Sequence, residues 1–171
     1  MFNNKICVVT GAAQGIGRTI VERFALNGAS MVYALDMNGE VLSKAFMDND
    51  NVKPVIVDIC DRLAIESLVQ QIQRDCGKSD VLVNNAGITR DALIEKMTEQ
   101  DWDMVVDVNL KGVFNLTQAI APIMMENNSG SIVTMSSVVG TDGNIGQTNY
   151  AATKGGVIAM TKGWAKEFVR N

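Results

Sequence analysis

Tyr150 and Lys154 stand four residues apart in the stretch Tyr-Ala-Ala-Thr-Lys. On a helix that spacing puts both side chains on one face, one turn apart. An ammonium close to a phenol favours the ionised form of a group that ordinarily titrates near pH 10. A phenol tuned in this way can protonate a carbonyl or take a proton from an alcohol. Ser137 lies thirteen residues upstream, just past the apolar run at 131–135. A lone Tyr-x-x-x-Lys pair is, as a rule, solvated helix surface, so the elements around it have to decide its meaning.

Other chemistries fall away on composition. The chain has no histidine, which removes Ser-His-Asp and Cys-His nucleophilic sites and histidine-based metal centres. Cys7, Cys60 and Cys76 are an odd number without metal-ligand spacing and read as inert thiols in a reducing, cytoplasmic setting. A net charge of −4 without a Lys/Arg cluster argues against nucleic acid or an anionic membrane as partner. No apolar run approaches the ~20 residues of a membrane span. With 171 residues, 47% hydrophobic and 20% charged, the chain reads as one globular domain over 1–171.

Short β-rich runs alternate with helical patterns. Strands are expected at 5–10, 30–35, 52–57, 81–83 and 131–135. Helices are expected at 15–27, stopped by Gly28, and at 39–47. A third is capped by Asp61 and runs to about Cys76, with Leu63, Ile65, Leu68, Val69 and Ile72 as its apolar stripe. Thr98 and Asp101 have capping-box spacing and open a helical region that continues over 105–125, broken near Gly112. A loop is expected at 139–146 and a last helix from Tyr150 to Val169. Such alternation predicts an α/β fold, a doubly wound parallel sheet with helices on both faces.

Thr10, Gly11, Gln14, Gly15, Ile16 and Gly17 join the first strand to the first helix. Glycines let backbone approach a pyrophosphate, which then lies at the helix N-terminus. The spacing is G-x-x-x-G-x-G rather than G-x-G-x-x-G, and a glycine loop alone is equally a tight turn. Asp36 ends the second strand, where an acid hydrogen-bonds the adenosine ribose and repels a 2′-phosphate. Met37 offers such a phosphate no charge, so NAD is favoured over NADP, although a strand-end Asp also caps turns. Asp58 and Ile59 end the third strand, and Asn85, Ala86 and Gly87 follow the fourth, at the carboxyl edge where open α/β sheets bind ligands.

In this order, these motifs with Asn109, Ser136-Ser137 and Tyr150-x-x-x-Lys154 resemble the short-chain dehydrogenase/reductase family along essentially the whole chain. The segments 85–91, 136–140 and 146–150 are similar to the 3-oxoacyl-[acyl-carrier-protein] reductases within it. The resemblance implies a Rossmann-type fold and an oxidoreductase that interconverts a ketone and a secondary alcohol, most closely by reducing a 3-oxoacyl thioester on acyl-carrier protein or CoA. It implies Tyr150 as proton donor and acceptor, and Lys154 as the group that tunes it and binds the nicotinamide ribose. Ser137 would bond the substrate carbonyl, and Asn109 would hold a water beside Lys154. It further implies a homodimer or homotetramer, expected to use the small residues Ala151, Ala152, Gly155, Gly156 and Ala159, although ordinary packing on the sheet accounts for them equally. Two departures stand out. NADP-using 3-oxoacyl reductases carry a basic residue where Gln14 stands and lack an acid at Asp36, which keeps an NAD-linked dehydrogenase of another secondary alcohol open. Family members also continue past the last helix, so C-terminal strands are expected to be missing and a truncated, merely nucleotide-binding fragment is the remaining alternative.

Overall fold

Alternation along each strand divides the apolar side chains between two faces of one sheet. Ile6 and Val8 of β1 (Ile6–Thr10), Tyr33 and Leu35 of β2 (Met31–Asp36) and Leu82 of β4 (Val81–Asn84) point to one side. There they meet Ile65, Leu68 and Ile72 of α3 (Arg62–Cys76) and Leu116, Ile120 and Met124 of α5 (Val113–Glu126). The intervening residues Cys7, Val9, Val32, Ala34 and Val83 face the other way. They pack on Val21 of α1 (Gly15–Leu26) and on Leu42 and Phe46 of α2 (Gly39–Phe46). Both faces of the inner strands β1, β2 and β4 are therefore covered, as an all-parallel sheet needs.

The computed structural model describes residues 1–168. All strands are parallel, in the order β3-β2-β1-β4-β5, with β3 at Val52–Ile56 and β5 at Ser131–Thr134. The chain winds outward from β1 to β3, then returns to place β4 on the other flank of β1. The crevice outside the carboxyl ends of β1 and β4 is the topological switch point, where such sheets take ligands. Pro54 lies on β3, at the sheet edge, where a missing N–H is tolerated.

Most expected elements are present, with informative shifts. Asp61 caps α3 by accepting from Leu63 N and Ala64 N, but Leu63 itself is 73% exposed. Its position in the first turn lies beyond the sheet's cover, so the apolar stripe begins at Ile65. Thr98 caps α4 (Glu99–Val106) through its hydroxyl. The carboxylate of Asp101 accepts from the Thr98 hydroxyl at 2.5 Å instead of reaching back to backbone. The expected break near Gly112 is a π-helical turn over Asp107–Gly112 that joins α4 to α5 without interruption. The expected loop at 139–146 contains a helical turn, α6 (Val139–Asp142). The final helix, α7 (Thr148–Phe168), starts two residues early; Val169 lies outside the described residues. Among the described residues no helix is long and apolar enough to cross a membrane.

One buried carboxylate fixes the amino-terminal edge of β1. Asp80, 8% exposed, accepts from Ile6 N at 2.8 Å and pairs with Lys5 and Lys78 at 3.0 Å each. Burial by itself raises the pKa of this carboxyl; the Ile6 N–H and the two ammoniums outweigh it and hold the group below the usual range. A depressed folded pKa means that the ionised form stabilises the fold above the unfolded carboxylate pKa, and that this stability is lost as pH falls through the folded value. Asp80→Ala strands the Ile6 N–H and is expected to cost about 2 kcal/mol at pH 7, lowering Tm by roughly 4–8 °C. The part of the deficit owed to the ionised carboxylate should shrink as pH falls through the folded pKa of Asp80, as thermal melts across pH will show. A deficit that does not shrink on acidification would contradict the electrostatic account.

Candidate active site

The β1–α1 loop is shaped by close contacts. A Cβ on Gly17 would lie 2.1 Å from Gly11 O, and one on Gly11 would lie 2.9 Å from Asn85 Nδ2. The loop is thus pressed onto the segment after β4. Thr10 secures that segment: its hydroxyl oxygen accepts from Asn85 N at 3.0 Å and Ala86 N at 2.9 Å. Asn85 answers by donating from Nδ2 to Thr10 O at 3.0 Å. Gly15, at φ +56°, turns the chain into α1 and has nothing within 4 Å of where a Cβ would stand.

A cleft of about 530 Å³ opens along these carboxyl ends. Every loop and strand-end residue expected from the sequence lines it except Gly17, which lies beneath the loop and lets the loop close down. Asp36 stands at the far end with both oxygens oriented, Oδ2 accepting from Ala13 N at 3.0 Å and Oδ1 from Asn38 N at 2.9 Å. The carboxylate is held in place and still has lone pairs for a diol. Asp58 makes a turn, accepting from Cys60 N at 2.8 Å, and lines the cleft as well. An open loop at the N-terminus of α1, a slot that a Cβ would block and an oriented acid suit a dinucleotide, with pyrophosphate on the helix end and ribose on Asp36.

The Tyr150 group lies where this cleft ends. Gly87 lines the cleft, and a Cβ there would be 3.3 Å from Asn109 Oδ1 and 3.6 Å from Lys154 Nζ. Lys154 is only 5% exposed; its ammonium donates to Met135 O at 2.6 Å and lies 5.6 Å from the Tyr150 ring centroid. Burial holds its pKa below the usual lysine value. Ser136 Oγ donates to Lys154 O at 2.8 Å, so the lysine is held at backbone and side chain. Ser137 Oγ accepts from Val139 N at 3.2 Å. Gly140 and Gly155 bring this loop onto α7: a Cβ on Gly140 would lie 2.5 Å from the carbonyl carbon of Lys154.

Asn109, fully buried in the π-helical turn, uses its amide on loop backbone, accepting from Ile88 N and donating to Ile88 O, both at 2.8 Å. The extra residue of a π turn rotates the side chains that follow it, a local geometry frequent at functional sites. Sequence reasoning missed the Met135 carbonyl, Thr153 and Asn149. Thr153 is fully buried and donates to Tyr150 O at 2.9 Å. The only sequence signal was polar residues on the inward face of a helix already marked by Lys154. Of the small residues on α7, Gly155 packs on Gly140 and Gly156 on Leu110, while Ala152 and Ala159 are exposed. Cys7 and Cys60 are pushed up by burial, to about 12 and about 11, and take no part in the cleft chemistry.

The geometry agrees with comparisons to known proteins. The family model described as short chain dehydrogenase matches residues 5–171. The 3-oxoacyl-[acyl-carrier-protein] reductase FabG of Thermotoga maritima is 51% identical over 170 residues, covering 97% of this chain and 69% of that protein. The reductase of the same name from Escherichia coli is 42% identical over 167 residues, covering 97% and 68%. That of Staphylococcus aureus is 44% identical over 174 residues, covering 98% and 70%. With its switch-point cleft and its match along nearly the whole length, this chain belongs to the short-chain dehydrogenase family, oxidoreductases that act on CH–OH groups with a nicotinamide cofactor.

Proposed function

We propose that this chain reduces the keto group of a 3-oxoacyl thioester to the 3-hydroxy group, with NADH preferred to NADPH. The observation that carries the reading is the meeting at Gly87, where a glycine lining the dinucleotide cleft lies beside both Lys154 Nζ and Asn109. The nicotinamide, when bound, supplies the hydride that reaches the carbonyl carbon. Negative charge then builds on the carbonyl oxygen, and Ser137 Oγ and the Tyr150 hydroxyl are the donors that meet it. Tyr150 gives up its proton to that oxygen, so ketone, hydride and proton together make one secondary alcohol. Lys154 supports the phenolate by its charge and would hold the nicotinamide ribose when the cofactor is bound. Asn109 keeps the loop after β4 in register with them.

The thioester class is supported by the names of the similar reductases, and the NADH preference by Asp36 and the neutral Gln14. Loss of NADH absorbance with acetoacetyl thioesters tests the first; steady turnover of polyols or sugars with none of thioesters would replace it. Asp36→Ala tests the second. It is expected to reduce the NADH/NADPH ratio of kcat/KM at least tenfold, about 1.4 kcal/mol, and an unchanged ratio would remove Asp36 from ribose recognition. Self-association as a dimer or tetramer belongs to the same proposal, supported by exposed Ala152 and Ala159 on α7; light scattering at micromolar concentration tests it.

A further inference from the structure

The residue before Tyr150 is fully buried and polar. Asn149 donates from Nδ2 to Arg90 O at 2.9 Å and to Asp101 O at 3.3 Å, while its Oδ1 accepts from Tyr150 N at 2.7 Å. These three bonds join the loop after β4, the first turn of α4 and the first turn of α7. Tyr150 N is one of the first-turn amides that a helix cannot satisfy from within. An asparagine side chain offers two donors and an acceptor in one small planar group, and all of them are used here. Aspartate would turn a carboxylate toward two carbonyl oxygens, and an apolar residue would remove the side-chain partner of Tyr150 N, Arg90 O and Asp101 O together.

Two further bonds run beside this one. Ala92 N donates to Gly146 O at 2.9 Å, and Gln147 Nε2 donates to Asp91 Oδ2 at 3.0 Å. Residues 90–92 are thus fastened to 146–149. Of the bonds that fasten these two segments, those of Asn149 reach Tyr150, whereas the Gln147–Asp91 bond lies on the exposed side. The same loop begins at Gly87 and Ile88, which touch Asn109 and approach Lys154.

We infer that Asn149 is a positioning residue that sets Tyr150 against Lys154 and Ser137 by tying the tyrosine's backbone to the loop after β4. This rests on the reading of Tyr150 as the proton donor. A displacement of about 1 Å at a reacting group costs on the order of 100-fold. Asn149→Ala and Asn149→Asp are therefore each expected to lower kcat by roughly 10–100-fold, with KM for NADH changed less than about threefold. Gln147→Ala, which cuts the neighbouring bond without touching Tyr150, should remain within about threefold of the parent in kcat.

Kinetics with acetoacetyl thioester and hydrogen exchange of the backbone amides are to be measured on all four proteins. The inference is overturned if kcat of both Asn149 variants stays within threefold of the parent. It is equally overturned if Gln147→Ala falls as far, or if KM for NADH rises in step with the loss of kcat. An inactive parent would count against the functional reading, and exchange then decides the inference. The amides of Tyr150 and Ala92 should exchange at least tenfold faster in Asn149→Ala than in the parent, and unchanged exchange overturns it. Should Asn149→Ala fail to fold, Asn149→Asp, which keeps the bond from Tyr150 N, carries the same comparison at Ala92.

Discussion

Tyr150→Phe is expected to lower kcat about a thousandfold, within the range for loss of a positioned acid, while NADH binds within about threefold of the parent affinity. The substitution removes one oxygen atom. The ring that Lys154 Nζ lies over remains, and the ammonium keeps its bond to Met135 O. Thr153 still donates to the carbonyl of residue 150, and Asn149 still accepts from its amide. Structure and cofactor site should therefore be retained, and the loss should fall on proton transfer. Steady-state turnover of an acetoacetyl thioester checks the first half, and NADH fluorescence titration the second. Residual activity above about a tenth of the parent would mean that another group delivers the proton. With no histidine in the chain, that leaves the Lys154 ammonium, a bound water or Ser137 to deliver it.

Gly17→Ala should act on the other half of the site and on the fold together. The added methyl would lie 2.1 Å from Gly11 O and 2.6 Å from Asn85 Nδ2, far inside contact distance. Neither neighbour can yield cheaply: Gly11 O is backbone, and Asn85 Nδ2 donates to Thr10 O and Gly11 O. Helix α1 must move away from the loop, at about 2 kcal/mol for overpacking and at least a tenfold loss of NADH affinity. Gly15→Ala is a useful contrast. Its added methyl meets nothing within 4 Å, and its cost comes from the left-handed backbone at φ +56°, about 1–2 kcal/mol. Thermal melts and NADH titration of both variants separate crowding from strain. If Gly17→Ala melts with the parent and binds NADH equally, the loop is not pressed onto β4 as described.

The strands were legible because each is a short run of β-branched or aliphatic residues between turn formers, and their parallel direction followed from the helices that separate them. Asp36 and Asp58 could be placed because strand ends are local features. Leu63 could not: its apolarity fits the stripe of α3, but only the reach of the sheet decides that burial starts at Ile65. The turn at Gly112 drew attention to a glycine, whereas the irregularity is a π turn from Asp107. Its register depends on Asn109 finding Ile88, twenty-one residues earlier in the chain.

Taken alone, the amino-acid sequence determined the alternating elements, the glycine loop, the strand-end acids and the Tyr-x-x-x-Lys spacing, all of which are properties of neighbouring residues. Tertiary structure decided which groups meet. Lys154 finds the Met135 carbonyl nineteen residues away, Gly140 seats against Gly155, and Asn149 ties Tyr150 to Arg90 across fifty-nine residues. Such partners are backbone atoms or buried amides, which every sequence offers in abundance. Only the closing of β4 against β1, and of α7 over the loop after β5, selects the few that hold Tyr150 and Lys154 in place.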